Sequence, residues 1–209
     1  MTRIAYLYVF DTMADWEPGF LTAELNSGRY FRKDAERYIL RTVGLTKEPV
    51  VTMGGVRILP DVSLEECAAV DAGVLILPGG DTWLDDIHMP MMEKAKEFMN
   101  TGVLVAAICG ATAGLAKAGM LDSRPHTSND LGYLKAVIPT YKGEAFYIHK
   151  TAVTHGRLIT ATGIAPVDFA REVLRELGVF SSGTLDAWYW LYITHEAQYY
   201  YALMESLEI

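Results

Sequence analysis

The chain has 209 residues, 51% hydrophobic and 21% charged, which is the composition of one α/β domain with a full hydrophobic core. Its formal net charge of -8 argues against nucleic acid as a partner, because phosphate binding depends on clustered lysine and arginine. Its two cysteines, Cys67 and Cys109, are too far apart in sequence for metal-ligand spacing, so no metal or other cofactor is expected. No apolar run reaches the roughly 18 residues of a membrane span, and the N-terminal MTRIAYLYVFD lacks a signal-peptide pattern. We therefore expect a soluble, cytoplasmic protein with no membrane partner.

Strands and helices alternate through the first hundred residues. The patterns predict strands at 4–10, 38–43 and 74–77, helices at 15–25 and 89–99, and a hairpin of 50–53 with 56–59 around Gly54-Gly55. Asp15 is the predicted N-cap of the first helix, and Gly28 lies near its end. A short helix capped by Asp61 or Ser63 is predicted to run through Ala69, with Cys67 facing the core.

The second half continues the alternation. The patterns predict a strand at 103–108, a helix at 131–138, short strands at 145–148, 152–154 and 158–162, and an amphipathic helix at 166–177. A hairpin turn is predicted at His155-Gly156, and Gly178 stands just past the last of these helices. Alternating elements with short links predict one α/β domain over 1–183, with a parallel sheet covered by helices on both faces.

The last segment, 184–209, is predicted to be a helical extension of the same domain, formed by one extra C-terminal aromatic helix. Aromatic and leucine side chains fall near helical spacing along it, namely Leu185, Trp188, Tyr189, Tyr192, Tyr199, Tyr200, Leu203 and Leu207. Such an aromatic face packs on its own domain, or forms a subunit interface or a wall over the active site, since Tyr and Trp are enriched at interfaces.

The stretch VLVAAICGATAGLAKAGM, residues 103–120, carries the main indication of chemistry. Its apolar strand ends at Cys109 and turns at once into a segment of helical composition, which is the arrangement of a nucleophile elbow. Ala107 and Ala111 provide the small neighbours that such a strained turn needs. The free N–H groups at the start of the helix are expected to lower the pKa of the Cys109 thiol and favour thiolate. The alternative is a buried structural cysteine.

Other groups are predicted to meet Cys109 at the carboxyl edge of the sheet, where ligands bind in open α/β folds. Gly79 and Gly80 follow a strand and let backbone N–H groups approach a substrate closely. The N–H groups of Gly80 and Gly110 are the predicted oxyanion hole. Glu17 begins the first helix and is predicted to act as hydrogen-bond partner, general acid or general base to the thiol.

A cysteine nucleophile also requires a base, and the candidates are His88, His126, His149, His155 and His195. His126 is preferred, because it lies in the turn-rich segment 124–130 that follows the elbow helix and the chain can return it to the same mouth. His88 is expected at the surface.

These motifs together resemble the ThiJ/PfpI superfamily. The resemblance rests on Ala-Ala-Ile-Cys109-Gly-Ala, Leu-Pro-Gly-Gly80-Asp, Asp-Trp-Glu17, and the later Leu-Ile-Thr-Ala-Thr-Gly163 with Val-Asp168-Phe-Ala, and it covers about residues 3–179. It implies a flavodoxin-like three-layer sandwich related to class I glutamine amidotransferases, and a homodimer. It also implies Cys109 as nucleophile, Glu17 as its carboxyl partner and His126 as the nearby histidine.

Three features depart from the resemblance. PfpI-type proteases carry histidine directly after the nucleophile, where this chain has Gly110. The His-x-Glu pair of true amidotransferases is missing from the sequence, and the C-terminal aromatic segment lies outside the matched core. Assignment as a peptidase or as a glutamine-hydrolysing subunit therefore does not follow from the resemblance.

The first hypothesis is a cysteine-dependent hydrolase or lyase, amidase-, peptidase-, glyoxalase- or deglycase-like, acting on a small carbonyl or amide substrate. Cys109 attacks, Gly80 and Gly110 stabilise the oxyanion, and the proton transfers fall to Glu17 and His126. The alternative is a non-enzymatic stress-response or redox-sensing protein, in which Cys109 oxidises to a sulfinate stabilised by Glu17. A third hypothesis is a binding module without turnover.

Overall fold

The computed structural model describes residues 2–207. These residues form nine strands: β1 (Thr2–Tyr8), β2 (Arg37–Gly44), β3 (Val50–Val51), β4 (Arg57–Ile58), β5 (Val62–Ser63), β6 (Ala72–Leu77), β7 (Leu104–Ile108), β8 (Ala152–His155) and β9 (Leu158–Ala161). They also form seven α-helices: α1 (Trp16–Ser27), α2 (Met89–Asn100), α3 (Gly110–Lys117), α4 (Leu131–Val137), α5 (Pro166–Glu176), α6 (Ser182–Thr194) and α7 (Ala197–Glu205). Short 3₁₀ turns lie at Asp86–His88 and Glu144–Phe146.

Seven strands form the central sheet in the order β5-β2-β1-β6-β7-β9-β8. Neighbouring strands are parallel except β8, which runs antiparallel to β9. The run β2-β1-β6-β7-β9 is the 2-1-3-4-5 order of flavodoxin-like folds, so the predicted α/β architecture is confirmed. Every residue of β7 is buried, because helices α2, α3 and α5 pack against it. The carboxyl end of β7 therefore lies in the middle of the edge at which the parallel strands end.

The Asp15 side chain connects the start of α1 to the β3–β4 hairpin through hydrogen bonds. Its carboxylate accepts hydrogen bonds from the Thr52 hydroxyl at 2.5 Å and the Gly54 N–H at 2.6 Å, and makes no cap bond to α1. Asp15 is the N-cap residue of α1 as predicted, but its side chain bonds to the hairpin instead of capping the helix. β3 and β4 pair antiparallel as predicted, but each has two residues and the connecting loop is longer than two. Gly28 ends α1 in the left-handed conformation.

Two predicted elements near the sheet are wrong. No helix forms over 61–69: Val62 and Ser63 pair with the end of β2 as β5, and the Glu66 carboxylate turns back to accept from the Ser63 N–H at 2.9 Å. Cys67 is buried in the core as predicted. The strand expected at 145–148 is a 3₁₀ turn instead, because its backbone pairs with the loop at His126 rather than with the sheet.

The C-terminal segment forms two helices, not the single helix predicted, because His195 adopts a left-handed conformation that ends α6. Trp188 is fully buried and its indole N–H donates to Glu24 Oε1 at 3.1 Å. Tyr192 packs its ring against those of Phe20 and Trp188, with ring centroids 4.9 Å and 5.1 Å apart. The inner face of α6 therefore packs on its own domain.

Candidate active site

Cys109 lies between the end of β7 and the first residue of α3, at the carboxyl edge of the sheet. Its backbone has φ 59° and ψ -125°, a positive φ that L-residues rarely adopt. The Cys109 carbonyl accepts hydrogen bonds from the Thr112 N–H at 3.1 Å and the Thr112 hydroxyl at 2.6 Å, which hold the turn. Ala107 and Ala111 are fully buried beside it. This is the strained strand-to-helix turn that a nucleophile elbow requires.

Glu17 lies in the first turn of α1 and is fully buried next to Cys109. Its Oε2 accepts a hydrogen bond of 2.5 Å from the Gly79 N–H, whereas its Oε1 has no hydrogen-bond partner among residues 2–207. Burial raises the pKa of Glu17, and the Gly79 N–H together with the neighbouring Cys109 side chain opposes that rise. A carboxyl group with a raised pKa and a free oxygen beside a thiol can take the thiol proton and return it.

Gly79 and Gly163 lack a Cβ atom, and the side chains of Glu17 and Cys109 occupy the space that a Cβ atom would need at these two positions. A Cβ added at Gly79 would lie 2.7 Å from Cys109 Cβ and 2.7 Å from Glu17 Oε2. A Cβ added at Gly163 would lie 2.6 Å from Cys109 Sγ and 3.1 Å from Glu17 Oε1. Because Gly79 follows β6 and Gly163 follows β9, the site is assembled at the ends of three neighbouring strands.

The predicted lowering of the thiol pKa is wrong. Burial raises the pKa of Cys109 to about 11, and the charge of Glu17 adds to the rise. Hydrogen bonds from the Asn129 side chain and the Gly110 N–H act in the opposite direction but do not outweigh burial. At neutral pH the cysteine is therefore a thiol, and any attack by its sulfur would need a neighbouring group such as Glu17 to take the proton.

Gly80 and Gly110, the predicted oxyanion hole, adjoin each other next to Cys109. A Cβ on Gly110 would lie 2.9 Å from the Gly80 carbonyl oxygen, 3.5 Å from the Gly80 nitrogen and 2.9 Å from Trp83 Cδ1. The buried Trp83 indole thus fills the room that a side chain at position 110 would need, which explains glycine where PfpI-type proteases carry histidine. The oxyanion role of the two glycines stays a prediction.

His126 is fully buried, and the structure does not pair it with Cys109. Its Nδ1 lies 2.7 Å from the Arg124 carbonyl oxygen and its Nε2 lies 2.6 Å from the Tyr141 hydroxyl. Burial lowers the pKa of His126, so the neutral imidazole is favoured. With both ring nitrogens engaged, His126 holds its own loop together in this arrangement, and its predicted proton transfer has no hydrogen bond to support it.

His88, which the sequence analysis expected at the surface, is buried. Its Nδ1 lies 2.8 Å from the Tyr8 hydroxyl and its Nε2 lies 2.8 Å from the Thr82 hydroxyl. Burial lowers the pKa of His88 to about 4. The aromatic rings of Phe10 and Trp83 surround it, which the isolated sequence around His88 does not reveal.

Asn129 is the site residue that the sequence analysis missed. Its Nδ2 lies 3.4 Å from Cys109 Sγ, and its Oδ1 accepts hydrogen bonds from the Gly163 N–H at 2.8 Å and the Thr162 hydroxyl at 3.4 Å. The only signal in the sequence is its place in Pro-His-Thr-Ser-Asn129, within the segment that was expected to return to the mouth.

Asn129 also lines an open cavity of about 420 Å³. The other walls come from the loop after α3, the segment before β8 and the loop after β9, and they include Thr127, Thr151 and Ile164. Within residues 2–207, no cluster of His, Cys, Asp and Glu side chains is arranged to hold a metal ion. The described helices also include none that is long and apolar enough to cross a membrane.

The DJ-1/PfpI family model matches residues 3–176. The chain belongs to the DJ-1/PfpI family. It is 52% identical over 206 residues to the uncharacterized protease YoaZ of Bacillus subtilis, covering 99% of this chain and 98% of that protein. A crystal structure of a thiJ/pfpI family protein from Bacillus anthracis matches with a TM-score of 0.95 and 52% identity, covering 100% of this chain and 99% of that one. The glutathione-independent glyoxalase DJR-1.2 of Caenorhabditis elegans is 29% identical over 139 residues, covering 64% of this chain and 70% of that protein.

Membership in the DJ-1/PfpI family confirms the ThiJ/PfpI resemblance that the motifs around Cys109, Gly80 and Glu17 indicated. The matched region ends at residue 176, close to the end of α5, so helices α6 and α7 lie beyond the DJ-1/PfpI core. The Bacillus anthracis protein nevertheless matches over the whole chain, so this DJ-1/PfpI member shares its C-terminal helices with that relative.

Proposed function

We propose that the chain is a cysteine-dependent enzyme that acts on a small carbonyl or amide substrate, as a hydrolase or a glyoxalase-like lyase. The observation that carries the proposal is the buried Glu17, whose free Oε1 lies beside a cysteine on a nucleophile elbow. The names of the relatives support the same carbonyl chemistry, since one is called a protease and another a glyoxalase.

The reaction begins when the Cys109 thiol passes its proton to Glu17 Oε1 and the sulfur forms a bond to the substrate carbonyl carbon. The carbonyl π electrons move to oxygen, and the N–H groups of Gly80 and Gly110 donate to that oxyanion. With an α-oxoaldehyde, Glu17 returns the proton to the oxygen and a thiohemiacetal results. Transfer of its C1 hydrogen to C2 gives the thioester of a 2-hydroxy acid, and water hydrolyses that thioester to release the acid and the thiol. With an amide, Glu17 protonates the leaving amine, and water then hydrolyses the thioester with Glu17 as the base.

Turnover of a panel of α-oxoaldehydes and small amides by the wild type, Cys109→Ser and Glu17→Gln tests this proposal. We expect Cys109→Ser to abolish turnover and Glu17→Gln to reduce kcat by roughly a hundredfold or more, the usual contribution of a general base. Wild-type rates in both variants would refute the assigned roles. Cys67 is an internal control for thiol chemistry, because it is buried and its pKa is raised to about 12.

Redox sensing is the second candidate, and the partial exposure of Cys109 favours it. Peroxide would convert the sulfur to a sulfinate, to whose oxygens Asn129 Nδ2 and a protonated Glu17 can donate hydrogen bonds. Mass spectrometry of peroxide-treated protein should find oxidation at Cys109 and none at Cys67. Slow oxidation of Cys109 together with turnover of a substrate would favour the enzyme.

A further inference from the structure

The side-chain amide of Asn129 has a fixed orientation beside the Cys109 sulfur. Its Oδ1 lies 2.8 Å from the Gly163 nitrogen and 3.4 Å from the Thr162 hydroxyl. Because a backbone N–H can only donate, it fixes the oxygen of the amide on the Gly163 side. The NH₂ group therefore faces Cys109 Sγ, at 3.4 Å.

The loop that carries Asn129 is attached to the rest of the site on both sides. The Thr127 N–H donates to the Thr160 hydroxyl of β9 at 2.9 Å. The Ser128 hydroxyl lies 2.6 Å from the Thr112 hydroxyl of α3, which in turn donates to the Cys109 carbonyl. The amide is thus held in place before any substrate arrives, as a preorganised hydrogen-bond donor must be.

An asparagine amide can donate to sulfur but cannot take its proton at ordinary pH. The histidine preferred in the sequence analysis, His126, is engaged with Arg124 and Tyr141 and makes no hydrogen bond to the thiol in the described structure. The two tasks of the site therefore fall to different residues. Glu17 Oε1 is the acceptor for the thiol proton, and the Asn129 amide is the donor to the sulfur.

We propose that Asn129 is a catalytic residue of this site, whose side-chain NH₂ donates a hydrogen bond to Cys109 Sγ and stabilises the anionic sulfur. Asn129 occupies the place beside the sulfur that was predicted for His126, so a fixed hydrogen-bond donor lies there and not a base. The catalytic part of this inference rests on the proposed function of Cys109 as nucleophile. The action on the sulfur itself does not depend on turnover.

The test is the rate of Cys109 alkylation by iodoacetamide from neutral to alkaline pH, in the wild type, Asn129→Ala and Asn129→Asp. Loss of one hydrogen bond to a charged group raises the thiol pKa by roughly one unit, so Asn129→Ala should react about tenfold more slowly below that pKa. Asn129→Asp keeps an oxygen for the Gly163 N–H but replaces the donor by a negative charge. We expect it to react more slowly than Asn129→Ala.

The pH profile of alkylation separates the donor role from a purely structural one. If Asn129 only anchored the Gly163 loop, Asn129→Ala would change the alkylation rate by the same factor at every pH and leave the midpoint of the profile unchanged, and that result would overturn the proposal. Asn100→Ala is the matched control, because Asn100 ends α2 at the opposite edge of the sheet from Cys109, and we expect wild-type rates from it.

Turnover measured on the same variants distinguishes this inference from the proposed function. Active wild type with unchanged alkylation rates in both Asn129 variants would overturn the role of Asn129 alone. If the wild type turns over no substrate but alkylation is slower in both Asn129 variants, the hydrogen bond to sulfur is upheld and the proposed enzymatic function is refuted.

Discussion

Replacement of Gly163 by alanine tests the geometry of the site most directly. The added Cβ would lie 2.6 Å from Cys109 Sγ and 2.8 Å from Cys109 Cβ, about 1 Å inside ordinary van der Waals contact. The elbow backbone cannot retreat freely, because Thr112 and the buried strand β7 hold it. Overpacking of this kind costs about 1–3 kcal/mol, and a reacting atom displaced by about 1 Å loses roughly a hundredfold in rate.

We therefore expect Gly163→Ala to lower Tm by about 2–4 °C for each kcal/mol lost and to slow turnover and Cys109 alkylation by at least tenfold. Gly19→Ala is the matched control, since a Cβ at Gly19 meets no heavy atom within 4 Å. It should keep the wild-type rates and gain slightly in helix stability. A Gly163→Ala protein with wild-type Tm and alkylation rate would refute the close packing on the sulfur. Lower Tm with a wild-type alkylation rate would contradict the displacement of the nucleophile.

Three further predictions concern buried titratable groups. Glu17→Gln should raise the unfolding free energy at neutral pH by on the order of 1 kcal/mol, because Oε1 is buried and has no hydrogen-bond partner in the part of the chain that the structure describes. Because burial raises the pKa of Glu17 in the folded protein, this carboxyl group contributes its full stability below pH 4.5 and loses it as the pH rises. Urea unfolding should therefore show that the stability gain of Glu17→Gln disappears at acid pH. His88 has a lowered folded pKa of about 4, so its contribution of about 3 kcal/mol should be present above 6.5 and lost as pH falls toward 4, a slope that His88→Gln should lack. His126→Ala should unfold about 1–3 kcal/mol more easily in urea but keep the Cys109 alkylation rate, and a large rate loss with unchanged stability would restore it as a proton carrier.

Much of the scaffold could be predicted because its signals are local. The apolar run of β7, the turn at Cys109-Gly110 and the periodicity of α5 each lie within about a dozen residues, and short links between them require a parallel sheet. Cys109 and Glu17 could be placed at one edge of that sheet for the same reason, since both follow the carboxyl ends of strands.

The failures occurred where distant contacts override local preference. Asp15 has the residue type and position of a helix cap, but the Thr52 and Gly54 groups of the hairpin compete for its carboxylate. His88 follows a polar turn, yet Tyr8 and Thr82 bury it between two hydroxyl groups. These partners are between 6 and 80 residues away in sequence, and only the folded chain brings them together.

The sequence by itself determined the fold class, the elbow, and the position of Cys109 and Glu17 at one edge of the sheet, because each depends on residue type and position along one or two adjoining elements. The tertiary structure alone decided which side chain lies beside the sulfur. Asn129 and His126 are three residues apart in one loop, and the bonds of that loop to β9 and α3 direct the amide to Cys109 while Tyr141 holds the imidazole elsewhere. The thiol pKa was decided in the same way, because burial depends on every element that packs around Cys109 and outweighs the start of a single helix.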